Sequence, residues 1–106
     1  MSNPAIIIFS SFPKQELCHL IATQLIKKKI AACVKWTNAV NCCYEWQGNI
    51  VEEKEYLLII KTHHKHWEEI KMTIEKAHPY DIPEITKISI EDSNNAYLKW
   101  LINQTT

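Results

Sequence analysis

The sequence predicts an α/β sandwich in the order β-α-β-β-α-β, followed by a short helix. Three observations carry this expectation. Apolar β-branched runs alternate with stretches of helical period, a long central segment alternates with a period of two around one glycine, and 106 residues leave room for a single domain only. The composition is that of an ordinary globular chain, 46% hydrophobic and 23% charged.

The first strand is Ala5 to Phe9, a continuous apolar run bounded by Pro4 and the polar pair Ser10-Ser11, as suits a buried central strand. From Pro13 the period changes. Leu17, Leu20, Ile21, Ala22 and Leu25 recur at helical spacing, and Lys27, Lys28 and Lys29 fall at the negative end of the helix dipole, so residues 13–29 are expected to be an amphipathic helix. Residues 30–36 read as strand again, with Asn38 as a bend or bulge. Val40, Cys42, Tyr44 and Trp46 then alternate with Asn41, Cys43, Glu45 and Gln47. A turn at Gln47-Gly48-Asn49 leads into a second extended segment, Ile50 to Lys61, so residues 32–61 form one long hairpin with a polar tip. Trp67, Ile70, Ile74 and Ala77 share one face of a second helix, which Pro79 stops at His78. Residues 78–83 form a loop pinned by two prolines. Ile85, Ile88 and Ile90 mark the last strand, over 84–91, and Asp92 or Ser93 is the expected cap of a short terminal helix carrying Ala96, Tyr97, Trp100 and Leu101. Right-handed crossovers then give a ferredoxin-like fold, with four antiparallel strands and both long helices on one face.

Each hairpin arm would run about 12–15 residues, roughly 40–50 Å at ~3.3 Å per residue, about twice the other strands. The outer half therefore projects past its own sheet, carrying Tyr44 and Trp46. Unpaired strand edges and wet aromatics favour association with further copies of the chain, with Tyr44 and Trp46 as interface anchors.

Several function classes are excluded on composition. Twelve basic residues balance twelve acidic ones, and all twelve are lysine, so neither a bulk electrostatic grip on nucleic acid or anionic membrane nor an arginine fork is expected. A single glycine rules out phosphate-cradling glycine loops, and no organic cofactor is expected. An RNA-binding module would need basic surroundings and an aromatic sheet-face motif that this chain lacks. The apolar run at Ala5 is too short for a signal or a span, so the four cysteines are expected to be reduced thiols of a cytoplasmic protein.

The candidate chemistry is modest. His78, at a helix end beside Pro79 and Tyr80, reads either as a histidine bonded to a carbonyl or as a metal ligand. Cys33 reads as core or, facing a cleft with His78 and Glu84, as a ligand for copper or zinc. Cys42 and Cys43 are adjacent, point to opposite strand faces and cannot chelate one ion together. His63, His64 and His66 read as solvated groups able to bind metal adventitiously. Lys61, Glu53, Glu55 and Tyr80 are candidates for lining a ligand cleft.

The pieces Lys29-Ile30-Ala31-Ala32-Cys33-Val34, Tyr44-Glu45-Trp46-Gln47-Gly48, Ile60-Lys61-Thr62, His78-Pro79-Tyr80-Asp81-Ile82-Pro83-Glu84-Ile85 and Asn95 to Leu101 together carry a family likeness. Over residues 5–102 the chain resembles the CutA divalent-cation-tolerance family. The resemblance implies a ferredoxin-like protomer in a homotrimer with interlocking hairpins. It also implies a role in tolerance of divalent metals such as copper, with clefts between subunits for a metal or small ligand, and no enzymatic reaction. The chain departs from some relatives at Ser10 and Ala77, which stand where those have cysteine and histidine. The small hydrolases that share this topology, the acylphosphatases, grip phosphate with an arginine and a glycine-rich turn, and neither is present.

Overall fold

The computed structural model describes residues 3–105. The strands are β1 (Ala5–Phe12), β2 (Cys33–Trp46), β3 (Asn49–His63) and β4 (Ile85–Ser89); the helices are α1 (Gln15–Lys27), α2 (Trp67–Ala77) and α3 (Asn95–Gln104). The sheet order is β2-β3-β1-β4, with every neighbouring pair antiparallel. This is the expected ferredoxin-like sandwich.

The alternation of β1 sets the layers. Ile6, Ile8 and Phe12 are buried with Ile21, Leu25, Ile70 and Ile74 of α1 and α2 in the main core, together with Leu58 and Ile60 of β3. The opposite face of the sheet is covered at one end by α3, where Leu101 packs with Ala5 and Ala32. Ile7, Phe9, Leu57 and Ile59 on that same face are only half-buried.

Several boundaries differ from the sequence reading. Strand β1 continues to Phe12, because Ser11 and Phe12 pair with Leu57 and Tyr56. Helix α1 starts at Gln15 with Lys14 as its cap and ends at Lys27. Lys29 then adopts φ 60. The Lys29 N–H donates to the Ile26 carbonyl and the Ile30 N–H to the Leu25 carbonyl, each at 3.1 Å. This pair of bonds is a Schellman closure, which spends residues 29–30 on ending the helix and delays β2 to Cys33. A lysine in left-handed backbone carries a Cβ penalty that glycine escapes, so Lys29→Gly is expected to raise stability by about 1 kcal/mol, read from chemical unfolding. Asn94, not Asp92 or Ser93, occupies the N-cap position of α3, with no capping bond from its side chain, and β4 is shorter than expected, ending at Ser89.

The expected bulge is present. The β2–β3 register shifts between Trp36 and Ala39. The Thr37 hydroxyl accepts the Leu57 N–H at 3.0 Å, which satisfies a backbone donor that the bulge would leave unpaired. Gln47 at φ 51 and Gly48 at φ 82 form a two-residue turn with both central residues left-handed, matching the twist of the ribbon. Because β1 pairs with β3 only from Tyr56 onward, residues 39–46 and 49–55 project as a two-stranded ribbon, and the protomer measures 45 × 26 × 23 Å.

Between β3 and α2 lies a 3-10 turn, His64–His66, in which His63 Nδ1 accepts the Lys65 N–H at 3.0 Å. His63 and His64 stack at 4.9 Å, and the His66 Nε2–H donates to the Thr105 carbonyl at 2.8 Å. Burial, then the neighbouring charges of His64, Lys65 and His66, hold the His63 imidazole below its ordinary value of 6.5. Folding thus favours neutral His63, the form that caps the turn. The stability this contributes is present above the unfolded value and lost as the pH falls through the lower folded one. Thermal melts from about pH 7 to about pH 5 are expected to decline less in His63→Gln than in the wild type.

Candidate functional site

The projecting ribbon and the loop between α2 and β4 enclose a cleft of about 610 Å³. One wall is the ribbon, where Cys42 pairs across with Glu53 and Tyr44 with Val51. The other wall is the loop 79–84, contributing Pro79, Tyr80, Asp81, Ile82 and Glu84. Trp46 lies at the outer end and Ser11 at the inner end.

The loop is tied down at three points. At one end, His78 is buried, stacked on Phe12 at 4.4 Å, with Nε2 bonded to the Ser11 carbonyl at 2.7 Å. At the other end, buried Ser10 donates its hydroxyl to the Glu84 carbonyl at 2.7 Å. In the middle, the Tyr80 hydroxyl donates to Glu55 Oε2 at 2.9 Å.

Glu55 is the electrostatic centre of the cleft. It is only 8% exposed. Burial, reinforced by the bond to Glu55, pushes the Tyr80 phenol well above the usual tyrosine range. The hydrogen bond to Glu55, then burial, raises the Cys42 thiol, and the bond to Glu53 raises the Tyr44 phenol. The Tyr44 hydroxyl donates to Glu53 at 2.9 Å. At neutral pH these three groups keep their protons and serve as donors to carboxylates. Glu53, Glu55, Asp81 and Glu84 line the cleft, and no lysine does. The field in such a recess attracts cations.

Of the residues singled out in the sequence, Glu53, Glu55, Tyr80 and Glu84 meet here, with Tyr44 and Trp46 at the ribbon wall. His78 stands behind the loop. Cys33 and Lys61 do not join them within one chain. They pair with each other across β2 and β3, at the Ile7 level of the sheet, and Lys61 Nζ lies 5.3 Å from the Tyr97 ring centre. The sequence reading missed Asp81 and Cys42 as cleft residues. The alternation of β2 already put Cys42 on the face of Tyr44 and Trp46, and that was the available signal. Among the described residues no group of three or more His, Cys, Asp or Glu side chains is placed to hold a metal ion.

A family model described as CutA1 divalent ion tolerance protein matches residues 6–104. The chain belongs to that family. It is 40% identical over 100 residues to the divalent-cation tolerance protein CutA of Pyrococcus horikoshii, covering 94% of this chain and 97% of the relative. To its counterpart from Thermus thermophilus it is 34% identical over 99 residues, covering 93% and 96%. Among solved structures, CutA1 from the psychrotrophic bacterium Shewanella sp. SIB1 superposes with a TM-score of 0.93 at 30% identity, covering 99% of this chain and 98% of that one. Metal tolerance is thus the family's theme, and these relatives are not named as enzymes. No helix among the described residues is long and apolar enough to cross a membrane.

Proposed function

We propose that this CutA1-family chain works as a homotrimer that takes up divalent cations, copper among them, in a cleft completed between subunits. The observation that carries this reading is the carboxylate-lined recess around Glu55, built on a ribbon that overhangs its own sheet. A surface packed against that ribbon would close the recess and add donors that a single chain does not supply. Carboxylates suit divalent cations, Cu(II) standing highest in the first-row affinity order at a given site, and the Cys42 thiol becomes a donor only where a bound metal displaces its proton. Cys33 enters such a site only if a neighbour brings it.

Calorimetric titration with Cu(II) and Zn(II), on protein whose mass is followed by light scattering, tests this. The wild type is expected to bind with about micromolar affinity. Glu55→Gln keeps the shape and removes the charge, and is expected to weaken binding at least tenfold, about 1.4 kcal/mol. Unchanged affinity in Glu55→Gln would overturn the cleft as the cation site. A tenfold loss in Cys33→Ser would show that a neighbour's thiol joins it.

A further inference from the structure

We propose that His78 is a positioning residue of the cleft and not one of its ligands: its neutral ring, protonated on Nε2, ties the Tyr80 backbone to the end of β1 and so sets the Tyr80 hydroxyl on Glu55. The proposal rests on the reading of the cleft as a binding site, but the arrangement it describes is a property of the free protein.

The geometry assigns both ring nitrogens. Nε2 lies 2.7 Å from the Ser11 carbonyl, which can only accept, so Nε2 carries the proton. Nδ1 lies 3.2 Å from the Tyr80 backbone nitrogen, which can only donate, so Nδ1 offers its lone pair there. The ring is fixed between Phe12 at 4.4 Å and Tyr80 at 4.8 Å. A metal-binding histidine commonly donates its second nitrogen to a carbonyl, and the Ser11 bond fits that pattern. What separates His78 from a ligand is therefore the occupant of Nδ1, and that occupant is the chain's own Tyr80 N–H.

The consequence reaches the cleft in two steps. The Tyr80 amide is held by His78, and the Tyr80 hydroxyl is held by Glu55. The phenol occupies one carboxylate oxygen of Glu55 and so determines how much of that group faces the recess. Releasing the amide lets the loop 79–84 lift from the ribbon at its middle while Ser10 still holds the Glu84 end.

Nitrogen-15 spectra of the labelled, ligand-free protein are expected to show His78 with a protonated Nε2 and an unprotonated Nδ1. The opposite tautomer would overturn the proposal. Hydrogen exchange at the Tyr80 amide is expected to speed up at least about tenfold in His78→Ala relative to the chain's other slow amides. It should return towards the wild-type rate in His78→Asn, whose side-chain oxygen replaces the Nδ1 acceptor. Unaltered exchange in His78→Ala would overturn the proposal, and if that variant does not fold, the wild-type tautomer decides. Under Zn(II) titration the His78 nitrogen resonances are expected to stay in place, whereas movement of Nδ1 to a metal-bound position would make it a ligand and overturn the proposal. Absence of any Zn(II) binding would overturn the cation reading of the cleft, and the tautomer and exchange measurements would still decide the role of His78.

Discussion

Phe12→Ala is expected to lower the stability of the folded chain by about 4 kcal/mol, with a matching fall in the guanidinium midpoint at fixed chain concentration. Phe12 is fully buried, at the end of β1 in the main core. Truncation to alanine removes the transfer free energy of an aromatic ring and leaves a cavity that neighbours such as Ile21 and Leu58, themselves fully buried, have little freedom to fill. A second loss is added, because the ring stacks on His78 at 4.4 Å with 26° between the planes. That histidine carries the loop 79–84, so the variant should also lose cation affinity in the titration described above. Leu20→Ala is the control. Leu20, expected from its spacing to share the apolar face of α1, lies instead on the outer side and is 51% exposed, so its truncation should change stability by no more than about 0.5 kcal/mol. A loss below about 1 kcal/mol in Phe12→Ala would mean that the end of β1 is not part of the rigid core.

The sheet and the two long helices were legible because their signals are local and periodic. Val40, Cys42, Tyr44 and Trp46 repeat every second residue, Trp67, Ile70 and Ile74 recur on one helical face, and Pro79 fixes the end of α2. Asn38 in a strand pattern marked the bulge correctly. Helix ends were harder. Lys29 occupies a position that glycine or asparagine usually marks, inside a run of three lysines that reads as a continuing helix end. Asp92, Ser93 and Asn94 are equivalent cap formers by propensity, and their order along the chain does not choose among them. The cleft was legible only in part, because it is made by folding back over long sequence distances. His78 finds its partner at the Ser11 carbonyl, and Tyr80 finds Glu55, with no local pattern linking either pair. Glu53, Glu55 and Glu84 stood out as charges near strand ends, whereas their convergence depends on where the two prolines let the loop turn.

Replacing Tyr44 and Trp46 together with lysine is expected to convert the proposed homotrimer to single chains. Beyond Phe12 the hairpin has lost the support of β1, and residues 39–46 and 49–55 pair only with one another. A lone two-stranded ribbon is marginal in water. Its apolar groups are poorly covered, with Tyr44 38%, Trp46 46% and Ile50 77% exposed. The row formed by Ile7, Phe9, Leu57 and Ile59 is likewise half-open on the sheet face away from α1 and α2. Ribbon and row together supply an unpaired edge and an apolar surface, and a closed ring of identical chains covers both without leaving a free edge. Buried aromatics at the centre of such a contact typically contribute about 2 kcal/mol or more each, and lysine in their place adds the cost of desolvating a charge. By light scattering the wild type should show about three times the 12.4 kDa chain mass, and the double variant the mass of one chain. Hydrogen exchange along residues 41–53 should accelerate in the variant while the amides of β1 stay protected, since the main core does not depend on the ribbon. A double variant that kept the wild-type mass would place the contacts elsewhere on the molecule. It would also remove the reason for completing the Glu55 cleft from a neighbour.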